Sequence, residues 1–177
     1  LCKKKVLKDG VGKVTDTDDL LREMKAAKVL GKIVNYEYYF ILPEEYCVPR
    51  IIDNQEEKDI NKCKYFQKAK LENLRQFTMN FGGVDLNKAT NISFFLLMKH
   101  LLEAGSLMVL NNFIHFDIHK ANILVDKNKV PRIIDFGMSF NVSEISLETI
   151  ENRWKVLTPS YSAEPPEVTF LTAVDDY

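Results

Sequence analysis

Asp117, Asn122 five residues on and Asp135 thirteen beyond that stand in one stretch. It reads His115-Phe116-Asp117-Ile118-His119-Lys120-Ala121-Asn122, then two apolar runs, then Asp135-Phe136-Gly137. These residue types suit one chemistry. Moving a phosphoryl group from ATP asks little covalent work of a protein and much positioning and charge neutralisation. Asp117 can orient an acceptor hydroxyl and take its proton. Asn122 and Asp135 offer the hard oxygens that Mg²⁺ prefers beside phosphate oxygens and water. Several fixed identities at set spacings specify far more than a lone glycine motif does.

Such residues need rigid elements to hold them. Ile123–Val125 and Val130–Ile134 read as two short apolar strands joined by the turn Asp126-Lys127-Asn128-Lys129, a hairpin that would carry Asn122 and Asp135 at its ends. Phe136 is apolar and Gly137 permissive, as a sharp turn out of a core requires. Upstream, residues 91–110 predict a long helix whose Phe94, Leu97, Met98, Leu101, Leu102 and Met108 form a buried face, with Gly105 costing ~1 kcal/mol relative to Ala. Thr17 is placed to cap a helix over 18–30, with Asp18 and Asp19 near its positive end and Leu20, Met24 and Ala27 on one side. Val11-Gly12-Lys13-Val14 reads as a strand end, Tyr36–Leu42 as a strand stopped by Pro43, and Leu74–Met79 as a strand ended by Gly82-Gly83. Residues 53–64 read as a loop or a short solvated helix. After Gly137 a polar segment without periodicity runs to Pro165-Pro166-Glu167. Strands with one helix, a Gly-Gly joint, then a long helix and a hairpin predict an α+β, two-lobed chain with a cleft at the joint.

The chain has 177 residues, 46% of them hydrophobic and 28% charged, enough for one core or two small lobes sharing an interface. A formal net charge of -1 gives no bulk attraction to nucleic acid or anionic membrane, so neither is expected as a partner. No membrane span or signal peptide is expected. Cys2, Cys47 and Cys63 are scattered and odd in number, which predicts reduced thiols and a cytoplasmic location. The first residue is Leu1 rather than Met, so a piece of a longer protein is expected.

The stretch over residues 115–122 resembles the H-R-D-L-x-x-x-N catalytic loop of protein kinases, and residues 135–137 resemble their D-F-G motif. Pro166-Glu167 resembles the end of A-P-E, and Val11-Gly12-Lys13 resembles V-A-I-K, so the likeness spans residues 11–167. It implies a small β-rich lobe over 1–77, a hinge over 78–86 and a partial helical large lobe over 87–177. It further implies ATP and Mg²⁺ as cofactors. Lys13 would meet the ATP phosphates and Glu23 would pair with Lys13. Thr78, Met79 and Asn80 would meet adenine through the backbone, Phe77 would guard the pocket behind it, and Asp85 would reach the ribose. Asp117 would act as base with His119 and Lys120 beside the transferring phosphate, and Asn122 and Asp135 would hold metal. The expected reaction transfers the γ-phosphate of Mg-ATP to a Ser or Thr hydroxyl of a protein. The wording of the stretch is most similar to divergent serine/threonine kinases of large DNA viruses, which implies host cytoplasm or virion as location and virion or host proteins as partners.

Departures from that pattern carry information. No G-x-G-x-x-G precedes Lys13; only Gly10-Val11-Gly12 hints at one. Few residues follow Glu167, so the helices that complete a large lobe are expected beyond this sequence. Phe116 stands where the family has an Arg that neutralises a phosphate on the activation segment, which implies activation without such a phosphate although Ser139, Ser143, Thr149, Thr158 and Tyr161 lie nearby. His119 takes the place of a Lys, and small-molecule kinases of the aminoglycoside and choline type show a similar D-x-H. A small-molecule kinase and a non-catalytic kinase-fold scaffold or virion component are therefore alternative readings. Plainer roles are expected elsewhere. His115 and His100 read as structural histidines, Tyr36, Tyr38, Tyr39 and Phe40 as core packing, and Lys3-Lys4-Lys5 as a solvated end.

Overall fold

The computed structural model describes residues 10–49 and 70–146. Strand β1 (Gly10–Asp16) runs straight into helix α1 (Thr17–Leu30). The cap is Asp16 rather than Thr17. Its backbone is extended and its Oδ1 accepts the Asp19 N–H at 2.8 Å, so the helix begins one residue earlier than expected. Asp18 and Asp19 do lie in the first turn. α1 buries Leu20, Glu23, Ala26 and Leu30, with Met24 and Ala27 half-buried at the border of that stripe.

β1 pairs antiparallel with β3 (Leu74–Asn80), which carries β2 (Glu45–Cys47) on its other side. Lys13 therefore lies opposite Phe77 and Thr78 opposite Gly12. After β3 the Gly82-Gly83 pair leads into β4 (Val84–Asp85). Gly83 has φ +108°, and a Cβ there would stand 2.1 Å from the Val125 carbonyl oxygen, so only glycine fits. β4 pairs with β6 (Ile123–Val125), and β6 with β7 (Pro131–Ile133). The hairpin turn forms as expected: Asp126 Oδ1 accepts the N–H groups of Asn128 and Val130.

Helix α2 (Phe94–Leu110) starts later than expected, after the Ser93 cap, because Asn91 takes a left-handed backbone at φ 55°. Its buried stripe is His100, Ala104 and Met108, flanked by Leu97, Leu101 and Leu107. Of the face expected from periodicity, Phe94, Met98 and Leu102 are exposed. The helix is apolar on nearly every side, so periodicity does not select a face. The small Ala104 and the flat ring of His100 permit the close approach instead.

Two further expectations are corrected. Tyr36–Leu42 is not a strand. Asn35 is left-handed at φ 58°, Tyr36–Tyr38 form one 3₁₀ turn, and only Phe40 bridges, to Ile133. β-propensity there is overridden by packing: Tyr38 packs edge-on and Tyr39 tilted against His100, at 4.7 and 4.9 Å between ring centres. Cys47 is disulfide-bonded rather than a free thiol, because sequence spacing says nothing about approach in space. Cys2, Cys63, Lys3-Lys4-Lys5, residues 53–64, Thr149, Thr158, Tyr161 and Pro165-Pro166-Glu167 lie outside the described residues.

One core joins the elements. Ala26 and Leu30 of α1 and Ala104 and Met108 of α2 meet Phe40, Phe113, Ile133 and Phe136. Short β5 (Phe113–Ile114) pairs with β8 (Phe140–Asn141), tying the start of the stretch that holds Asp117 to the segment after Asp135. Among the described residues no helix is long and apolar enough to cross a membrane.

Candidate active site

Two clusters of polar side chains face each other around Asp135. The first joins three elements. Lys13 of β1 places Nζ 2.9 Å from Glu23 Oε1 on α1 and 2.7 Å from Asp135 Oδ1 beyond β7. Glu23 is almost fully buried, and its second oxygen accepts the Phe136 N–H at 3.1 Å. Burial alone would lower the Lys13 pKa, but Glu23 and then Asp135 outweigh it, so the ammonium titrates above its ordinary value. Burial raises Glu23 while Lys13 opposes it. Burial likewise pushes Asp135 upward, yet Lys13 prevails and the carboxyl lies below its usual range. Lys13 also stands 5.6 Å over the ring of the buried Phe77.

The second cluster is built within one loop. His115 is buried, with Nε2 3.0 Å from the Ile134 carbonyl and Nδ1 accepting the Asp117 N–H at 3.2 Å. Both ring nitrogens are thus used by the neutral tautomer, and burial lowers its pKa to about 4. Asn122 Nδ2 donates to Asp117 at both its carbonyl and Oδ2, 3.0 Å each. Asp117 Oδ1 is buried and has no hydrogen-bond partner. His119 Nδ1 accepts the Ala121 N–H at 3.2 Å, which assigns the ring proton to Nε2, and that atom stands 3.4 Å from Asp117 Oδ1. Burial raises the Asp117 pKa, and His119 pulls it back in part.

The remaining candidates separate from these clusters. Thr78, Met79 and Asn80 end β3, with the Thr78 carbonyl accepting from Glu44 N–H at 2.9 Å and Asn80 Nδ2 donating to Glu44 at 2.7 Å. Asp85 pairs with Lys88 at 2.7 Å, which lowers its pKa. Lys120 is exposed, and its side chain makes no contact with the other candidates among the described residues. A cavity of about 480 Å³ walled by Phe40, Leu42, Glu44, Phe81 and Arg132 lies apart from both clusters, with Asn80 alone of the candidates on its rim.

Two contacts escape any reading of spacing. Arg22, held by Asp19 at 2.8 Å, reaches the Gly137 carbonyl at 3.4 Å. Phe116, with φ 64°, sets its ring 5.8 Å from that of Phe140. No local signal marks either pair, because each joins residues far apart in the chain.

The fit of a divalent cation can be tested on the oxygens. Among the described residues no three His, Cys, Asp or Glu side chains form a closed metal cage. Mg²⁺ does not need one, being held by one or two carboxylates with waters and phosphates. Asn122 spends both contacts through Nδ2 and keeps its amide oxygen free, and a cation, Lys13, already lies against Asp135. The donor set fits.

Residues 1–175 match the family model of the protein kinase domain. The chain belongs to that family, and the small sheets and two α-helices among the described residues fit a kinase-like α+β fold. No curated protein matches the chain. Membership points to a phosphotransferase of the kinase class with a protein as acceptor; such domains generally use ATP with Mg²⁺.

Proposed function

We propose that the chain transfers the γ-phosphate of Mg-ATP to a serine or threonine hydroxyl of a protein. One observation carries the reading. Asp117 presents a buried carboxylate oxygen with no hydrogen-bond partner, while its other oxygen is fixed by Asn122. A buried acceptor left unpaired is costly unless a ligand completes it, and a substrate hydroxyl would do so. Its raised pKa brings the carboxylate nearer to a useful base.

The other roles are those that the resemblance to protein kinases implies. Lys13, held by Glu23, meets the phosphates, and residues 78–80 meet the adenine with Asp85 toward the ribose. Asn122 and Asp135 hold the magnesium, which when bound neutralises phosphate charge. His119, 3.4 Å from the base, would meet the incoming phosphate. In this reading residues 1–77 form a small lobe, 78–86 a hinge and 87–177 part of a larger lobe.

The test is phosphate transfer from labelled ATP to a mixture of peptides, and in parallel to small hydroxylated acceptors, by the wild type and by Asp117→Asn. Transfer to Ser or Thr peptides that disappears in Asp117→Asn is expected. Transfer only to small acceptors would move the assignment to a small-molecule kinase. Unchanged transfer in the variant would overturn the mechanism.

A further inference from the structure

Phe116 is a bulky residue held at φ 64°, a region that L side chains other than Asn and Asp seldom enter. It immediately precedes Asp117. Such strain persists only where surrounding contacts over-determine it, and it gathers at working sites. The core rings Phe40, Phe113 and Phe136 are fully buried, but Phe116 and Phe140 are only half-buried, so burial alone is a weak reason for the conformation. What the turn achieves is contact. The Phe116 and Phe140 rings lie 5.8 Å apart at 58°, a favourable tilted arrangement. Phe140 belongs to β8, five residues after Asp135, and pairs there with Ile114. The Val142 N–H donates to the Asn112 carbonyl at 2.7 Å in the same seam.

We propose that Phe116 and Phe140 form an aromatic clasp, and that Phe116 is a positioning residue fixing Asp117 against the segment that carries Asp135. The catalytic consequence rests on the function proposed above; the clasp itself does not. The two carboxylates approach from different segments, Asp117 before the hairpin and Asp135 after it. Beside the short β5–β8 ladder and the contacts of His115 to Ile134 and Phe136, the clasp is a further link between these segments. Asp135 is itself left-handed at φ 66°, so the backbone turns sharply beside both carboxylates, and the ring contact braces the strained turn at Phe116. A misplacement of a reacting group by about 1 Å can cost a hundredfold in rate, which gives the contact its leverage.

Phe116→Gly separates turn from ring, because glycine takes the left-handed turn without strain. It is expected to lower kcat about ten- to a hundredfold while the KM for ATP stays within about twofold. Phe140→Ala, which leaves the turn untouched, should lower kcat equally, and the double variant should lose no more than either single one. Phe116→Leu should recover most of the rate. Hydrogen exchange of the Ile114, Phe140 and Val142 amides should quicken in Phe116→Gly and Phe140→Ala alike. Wild-type exchange in both variants, or additive losses in the double variant, would overturn the clasp. A wild type that phosphorylates no acceptor would overturn the functional reading instead, and the exchange measurement would still decide the clasp.

Discussion

The two polar clusters are built on opposite plans. Around Lys13, the buried hydrogen-bonding groups are saturated within the protein: one ammonium serves two carboxylates, and the spare oxygen of Glu23 takes a backbone N–H. Around Asp117, the set is left incomplete, with a buried oxygen that makes no hydrogen bond and has only the His119 imidazole 3.4 Å away. The first arrangement brings three distant segments together and holds them. The second, made within a single loop and braced by His115, keeps capacity in reserve for a partner from outside. Assembly and reactivity are thus assigned to different clusters, joined at Asp135.

Breaking the incomplete cluster should have the largest effect on chemistry. Asp117→Asn keeps shape and hydrogen bonding to Asn122 but removes the proposed base, and is expected to lower kcat about a thousandfold with nucleotide affinity nearly unchanged. Rate measurement beside nucleotide titration checks both halves. Breaking the saturated cluster should instead be felt in stability. Glu23→Ala strips a partner from Lys13 and orphans the buried Phe136 N–H, for an expected loss of about 4 kcal/mol in denaturant unfolding. An equal loss from Asp117→Ala would erase the contrast between the clusters.

Much of the reactive cluster was legible because its parts are local: Asp117, His119 and Asn122 sit within six residues of one another, and the hairpin after them follows from two apolar runs and a turn. Lys13 and Glu23 could be placed only by their order along the chain, since the bonds that unite them with Asp135 span 10 and 122 positions. The face of α2 was not legible, because an almost uniformly apolar helix has no periodicity to read, although His100 was expected as a structural histidine and is buried. Tyr36–Leu42 misled for a related reason. Its aromatic residues serve ring stacking on His100, a need that favours a 3₁₀ turn over the extended chain.

Acid sharpens the comparison from a third side. His115 is neutral in the fold with a pKa of about 4, well below its value of about 6.5 in an unfolded chain. The unfolded chain therefore binds more protons between those values, and stability should fall by up to about 3 kcal/mol as pH drops from 6.5 to 4. Unfolding curves across that window check it, and His115→Gln should flatten the slope. The smallest effect belongs to His119. It lowers the Asp117 pKa that burial raises, so His119→Gln should move the acid limb of kcat/KM to higher pH. An acid limb that stays in place would show that His119 does not act on the base electrostatically.

Phe136 is a single residue with two anchors, a ring sunk in the core against Phe40, Phe113 and His115 and an amide bonded to Glu23. Helix α1 cannot swing outward without leaving that amide unpaired in an apolar interior, a penalty of about 1–3 kcal/mol beyond the loss of the ion pair. Withdrawal of the ring would pull the amide from Glu23 in turn. Displacement of the helix and displacement of the ring therefore carry a shared cost, and a substitution that loosens one anchor weakens the other.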